Sequence, residues 1–318
     1  MSVSMENNTA DQPLLNQYDD EIDLRELFAV LWAGKIKIIA ITALFAVASV
    51  IYALSVPNQY KATALLAPAQ QQSGGMSGAL GQLGGLASLA GVSLGGGDSS
   101  EAQLAQQIMQ SWSFVESFIA ANKLEVEVFA AENWDRNSKN LKIDENLYDP
   151  DTKEWLVKNS ETGVVGLPSS WELFKKFSKV VSVSEDKKTG LVSVSIEYYS
   201  PKIAKQWLDM YVATINKHMQ ERQMAKVTRN VEYLEAQIAK TTIAEMQEVF
   251  YTIIEEQIKS KMLAEANPDY AFVAVSPSMV PEEKSQPKRA LICILGTLLG
   301  GMLSVLMVLI MHYAKKSN

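Results

Sequence analysis

The histidines and the cysteine of this chain, its best-suited side chains for holding a transition metal or attacking as a nucleophile, are few and far apart. His218 falls in a long helical stretch, while His312 ends an apolar run that also holds the single cysteine, Cys293. No His/Cys metal cluster can be assembled from these three. No GxSxG, HExxH or kinase signature occurs, and there is neither a GxxxxGK[ST] loop nor a strand–GxGxxG–helix context for phosphate. Asp149, Asp151 and Glu154 lack the alternating oxygen ligands and the glycine of a calcium loop, so they read as solvated surface. The adjacent pairs Glu255-Glu256 and Glu282-Glu283 read the same way. The expectation is a non-enzymatic protein without cofactor or metal.

Two apolar segments frame the chain. Ile38 to Val56 gives 19 residues without a charge, and Ala290 to Tyr313 gives 24 whose only ionisable groups are Cys293, His312 and Tyr313. Each is long enough to cross a hydrocarbon core, which takes about 20 helical residues. Residues 57–289 then lie on one side of the membrane, and the tails 1–37 and 314–318 on the other. Of the formal charge of −7, the first tail carries −4 (three basic, seven acidic), the second +2, and the part between −5 (24 basic, 29 acidic). An acidic loop with no basic cluster argues against nucleic acid as a partner. With one cysteine, no intramolecular disulfide can form. A cleaved signal peptide is the rival reading of the first segment, but its leading region is long and acidic where a signal would be short and basic.

The elements that would position any site read as follows. Leu24, Leu27, Phe28 and Leu31 have helical spacing, with Asp23 and Glu26 spaced as a capping box; this predicts a short amphipathic helix at the membrane surface. Residues 59–66 predict a strand closed by Pro68. Residues 73–97 hold ten glycines in 25 positions with interleaved leucines. A mobile loop is one reading, and packing in an oligomer or against a membrane partner is the other. A helix is expected from a Ser99-Ser100 cap to about Asn122, with Leu104, Ile108, Val115, Phe118 and Ile119 in its buried stripe. A polar, broken stretch follows over 131–169, then a helix over 170–178. Val181 and Val183, then Val192, Val194, Ile196 and Tyr198, alternate on either side of a Glu185–Gly190 turn and predict a hairpin.

The longest helical signal starts at Ser200-Pro201. Leu208, Val212, Ile215 and Met219 step by 4, 3, 4, and Val227, Val231, Leu234 and Ile238 repeat that step after a stutter. A turn at Thr241-Thr242 would let a second helix, to Asn267, fold back along the first. Such a stripe on a long protrusion predicts hairpin packing and support from neighbouring subunits. Residues 270–275 predict a last strand. Pro277, Pro281 and Pro287 favour an extended descent to the membrane, where Lys288 and Arg289 would anchor at head groups. Gly296 and Gly300, reinforced by Gly301, form a GxxxG pair that predicts helix–helix contact, against the alternative of glycines tolerated in a lipid-facing helix.

This architecture resembles the Wzz-type chain-length determinants of bacterial surface polysaccharides, the polysaccharide copolymerases. The similarity is most specific at Tyr270-Ala271-Phe272, followed by Pro277, Pro281 and Pro287-Lys288-Arg289-Ala290-Leu291-Ile292. It extends to Asp23-Leu24-Arg25-Glu26-Leu27, to Tyr233-Leu234-Glu235 and to Ile254-Glu255-Glu256-Gln257. The resemblance implies an α+β membrane protein with two transmembrane helices flanking a periplasmic α/β base and a long protruding helical hairpin. It implies an inner-membrane location with cytoplasmic tails, a ring-like homo-oligomer, and no enzymatic activity. It further implies control of the modal length of a lipid-linked glycan made by a Wzy-type polymerase, in the kinase-less class that usually serves O-antigen. The expected organisation is a tail and lead-in helix over 1–37, spans over 38–56 and 290–313, and a base over 57–199. A hairpin over 200–267, a strand and proline segment over 268–289, and a tail over 314–318 complete it. Two alternatives stand beside it: a determinant for capsule or exopolysaccharide, and a periplasmic scaffold or adaptor unrelated to polysaccharide.

Overall fold

A computed structural model describes residues 24–69, 97–135 and 137–316. The glycine-rich run is outside the described residues except for its last glycine, Gly97. The chain divides into two compact units: Met1–Ser55 with Arg289–Asn318, and Val56–Lys288.

In the first unit, helix α1 (Leu24–Ala33) is followed after Gly34 by α2 (Lys35–Ser55). The last helix of the chain, Arg289–Lys316, packs along α2 and touches α1. A turn at Gly34 separates α1 from α2. Lys35–Ser55 and Arg289–Ala314 are the helices among the described residues long and apolar enough to cross a membrane.

The second unit begins with β1 (Tyr60–Pro68) and continues through α3 (Gly97–Met109), α4 (Trp112–Asn122), the short α5 (Glu125–Phe129), β2 (Ala131–Trp134), β3 (Leu141–Ile143), β4 (Tyr148–Asp149) and β5 (Glu154–Trp155). Then come α6 (Ser170–Phe177), β6 (Val181–Glu185), β7 (Val192–Tyr198), α7 (Pro201–Ile238), α8 (Ala244–Ala266) and β8 (Phe272–Ser276); the C-terminal helix Arg289–Lys316 is α9. The strands form a four-stranded antiparallel sheet in the order β6-β7-β1-β8. The period-2 pattern explains the sheet directly. Tyr60, Ala62, Ala64 and Leu66 on β1, and Val192, Val194, Ile196 and Tyr198 on β7, are all buried on one face.

Helix α3 and the first half of α7 contact the sheet, and α4 and α6 pack together in the same buried cluster. Phe118, Phe177 and Tyr211 are fully buried and pack ring against ring, 4.9 to 5.6 Å between centroids. Tyr211 donates its hydroxyl to the carbonyl of Met109. Tyr198 donates to the Glu127 carbonyl at 2.6 Å, and burial raises its hydroxyl pKa above the usual tyrosine range.

Two expectations are corrected. The helix expected over 100–122 is two helices, because Ser111 caps a new one by accepting from the amide of Phe114. Ser99 and Ser100 lie inside α3, which starts at Gly97, so they do not cap it. The polar stretch 131–169 holds two small β pairs that the sequence did not signal. Its Asp149 carboxylate accepts from the amides of Asp151 and Thr152, which makes it a turn-former and holds its carboxyl below the usual range.

Candidate functional site

Among the described residues, no group of three or more His, Cys, Asp or Glu is placed to hold a metal ion. What the sequence marks instead are packing surfaces, and these belong to two separate units.

In the first unit, Gly296, Gly300, Ser304 and Val308 recur every fourth residue along one face of α9. A Cβ on Gly296 would sit 2.5 Å from the Ser49 Cβ, and one on Gly300 would overlap the Phe45 side chain. Ser304 is fully buried, and its hydroxyl meets that of Thr42 at 3.3 Å. Further along, a Cβ on Gly34 would meet Val308 at 2.5 Å. Arg289 donates to the Ala53 carbonyl at 3.1 Å, joining the start of α9 to the last turn of α2. The absent side chains let two helices approach within the same chain. Gly301 is beside this line: its nearest neighbour would be the Thr42 hydroxyl at 4.0 Å. The sequence reading singled out the glycines and passed over Ser304, Val308 and Gly34. The four-residue spacing of small residues, Gly296-Gly300-Ser304, was the available signal.

In the second unit, the stripe expected to pack the hairpin divides. Leu208 and Ile215 are fully buried in the base core, with Val212 against it, so the first half of α7 is part of the base. Val227 is buried, whereas Val231, Leu234 and Ile238 are only half covered. Helix α8 does fold back along α7, and much of the seam is polar. Gln220 donates to the Ala264 carbonyl at 2.8 Å, Lys261 to Thr228 at 3.3 Å, and Gln223 to Ser260 at 3.4 Å. Ile254 and Ala264 of α8 are buried, while other apolar residues face out. Met246, Val249, Ile258, Met262 and Leu263 are all exposed, as is Tyr233 on α7.

Asn216 joins the root of the hairpin to β8. It is 2% exposed; its Oδ1 accepts from the amides of Ala271 and Phe272 at 3.0 and 2.8 Å, and its Nδ2 donates to the Phe272 carbonyl at 2.9 Å. The carboxamide thus serves as a neighbouring strand would, closing part of the open edge of β8.

The proline segment follows β8 and stays tied to the base. Pro277 is exposed, Pro281 half-buried and Pro287 buried; Lys288 is exposed. Ser278 donates to Asp209 on α7, and Ser285 donates to the Gln59 carbonyl at 3.1 Å and to the Glu197 carboxylate. Gln59 and Gln286 form a bridge, so the two ends of this unit lie side by side.

Residues 20–121 match the family model described as chain length determinant protein, Wzz. No curated protein matches the chain. Similar solved structures include a full-length bacterial polysaccharide co-polymerase, 15% identical, covering 93% of this chain and 99% of its own, with a TM-score of 0.39. A fragment of WzzB, the polysaccharide co-polymerase from Salmonella Typhimurium, is 12% identical, covering 72% of this chain and 100% of its own, with a TM-score of 0.27. The family match covers the lead-in helix, the first apolar helix, β1 and the helices to α4. The resemblance to the Wzz chain length determinants read from the sequence is shown over residues 20–121.

Proposed function

We propose that this chain regulates the modal chain length of O-antigen lipopolysaccharide without enzymatic activity, acting with a Wzy-type polymerase in the inner membrane. The Wzz match over residues 20–121 carries this reading. In it, α2 and α9 cross the membrane, the tails are cytoplasmic and the unit Val56–Lys288 is periplasmic. The subunits form a ring-like homo-oligomer. The outward apolar residues of the hairpin support that assembly, since one chain alone leaves Val249, Ile258 and Met262 in water. Chain length follows from how long the lipid-linked glycan stays engaged with ring and polymerase. Because α2 of the same chain occupies the Gly296–Gly300 face, the polymerase would meet the outer faces of the spans, the base, or both.

The test is to delete the gene and run the cell's lipopolysaccharide on a gel beside size fractionation of its capsule and exopolysaccharide. The expected result is that a clustered O-antigen ladder becomes a stochastic spread and that the other glycans keep their sizes. A shift confined to capsule or exopolysaccharide would transfer the function to that glycan. No shift in any of them would leave a scaffold unrelated to polysaccharide.

A further inference from the structure

A groove of about 480 Å³ lies between α7 and the strands β1 and β8, wholly within the unit Val56–Lys288. That volume is in the range of small-molecule sites. Its floor is small and apolar: Ala64, Leu66 and Ala274. Its polar groups come from α7 and from the loop before β8. Asp209 is fully engaged: Lys205 pairs with its Oδ2 at 2.5 Å, and Ser278 donates to its Oδ1. The groups further along are not. The Asp269 carboxylate has a single long contact, the Asn216 amide at 3.5 Å. Lys217 reaches Glu221 only at 3.9 Å, and no ion pair joins it to Asp269. Gln220 uses its amide nitrogen on the Ala264 and Asn267 carbonyls at 2.8 and 3.2 Å, which leaves its Oε1 without a donor among the described residues.

These spare groups select the chemistry of what fills the groove. The Asp269 carboxylate and the Gln220 oxygen can only accept a hydrogen bond, and the Lys217 ammonium can only donate. A phosphate or carboxylate ligand would suit Lys217 and be repelled by Asp269, and a cation would do the reverse. A hydroxyl both donates and accepts, so neighbouring hydroxyls on one molecule satisfy all three groups. The C–H face of a sugar ring then covers the alanine and leucine floor. An added peptide strand lacks its ladder, because Asn216 already holds the amide and carbonyl of Phe272 on that edge of β8. A second copy pressed into the groove would strip water from Asp209, Lys217 and Asp269, all exposed, and incompletely paired ions do not recover that cost.

We propose that this groove is a saccharide-binding site that holds the growing glycan, with Asp269, Lys217 and Gln220 bonding its hydroxyls. This rests on the glycan-length function proposed above. The test uses the full chain in detergent and O-antigen polysaccharide released by mild acid from the lipopolysaccharide of the same cells. Binding is followed by saturation-transfer NMR and by titration. The expected result is that the unaltered chain binds, as does Lys187→Ala in the exposed β6–β7 turn. Lys217→Ala combined with Asp269→Ala should weaken binding about tenfold or more. Ala213→Leu, at an exposed position of the groove wall, should weaken it too. Equal binding by the unaltered chain and the double variant would put the glycan elsewhere and overturn the proposal. If the unaltered chain binds no O-antigen while gene deletion still spreads the ladder, the groove proposal fails and length control stands. If the double variant keeps its binding but loses oligomer mass in sedimentation, a second copy fills the groove and the proposal fails. O-antigen bound in the groove, with a ladder that deletion leaves unchanged, would keep the site and remove the length-control reading.

Discussion

At the residue scale, the sharpest constraints are places where a side chain is absent or a carboxamide is saturated. Replacing both Gly296 and Gly300 with Leu puts bulk against Ser49 and Phe45, and the two apolar helices must separate. The expected outcome is an altered glycan length distribution while the unit Val56–Lys288 keeps its circular dichroism; an unchanged ladder would remove these glycines from function. Gly301→Ala, with 4.0 Å to its nearest neighbour, is expected to leave the ladder as it is. Asn216→Ala leaves two buried amides and a carbonyl without their partner, at a cost of about 3 kcal/mol. Urea unfolding should show that loss; a change within about 0.5 kcal/mol, the usual range for surface substitutions, would mean water replaces the side chain. The glycines were legible from spacing alone. Asn216 was not, because its partners are 55 and 56 residues away and only the folded chain brings them together.

At the element scale, α6 shows how local chemistry holds the turn beside it. Ser169 accepts from the Glu172 amide while the Glu172 carboxylate accepts from the Ser169 amide, a reciprocal cap. Ser169→Ala should cost about 1 kcal/mol. The amide of Ser169, and then the other groups on this carboxylate, hold the Glu172 carboxyl below its ordinary 4.5. A lowered carboxyl pKa stabilises the folded state above the ordinary value, and that contribution is lost as pH falls through the lowered one. Hydrogen exchange at the start of α6 should therefore quicken below about pH 4.5, and Glu172→Gln should flatten that dependence. An equal rise in the Gln variant would contradict the assignment. Elements with strong periodicity were readable: the β6–β7 hairpin, the long α7 and the return of α8 all follow from spacing. The break at Ser111 was hidden because the apolar stripe runs on across it. The small β pairs of 131–155 were hidden because strands of two to four residues have too little alternation to detect.

At the scale of the whole molecule, the chain has two compact units. One is a pair of apolar helices closed on each other by small residues. The other is a sheet-and-helix base whose long hairpin is seamed with polar bonds and apolar outside. The stripe of α7 could not show from sequence where the base ends and the hairpin begins, because burial by a sheet and burial by another helix demand the same residue types. The central claim is that this chain sets glycan length by being present, with no chemistry of its own. The direct measurement is to reconstitute a Wzy-type polymerase with lipid-linked repeat units in vesicles, with and without the full chain, and to resolve the products by length. The predicted result is a broad distribution without the chain and a clustered one with it, at an unchanged total of linked repeats. The same broad distribution in both would contradict it.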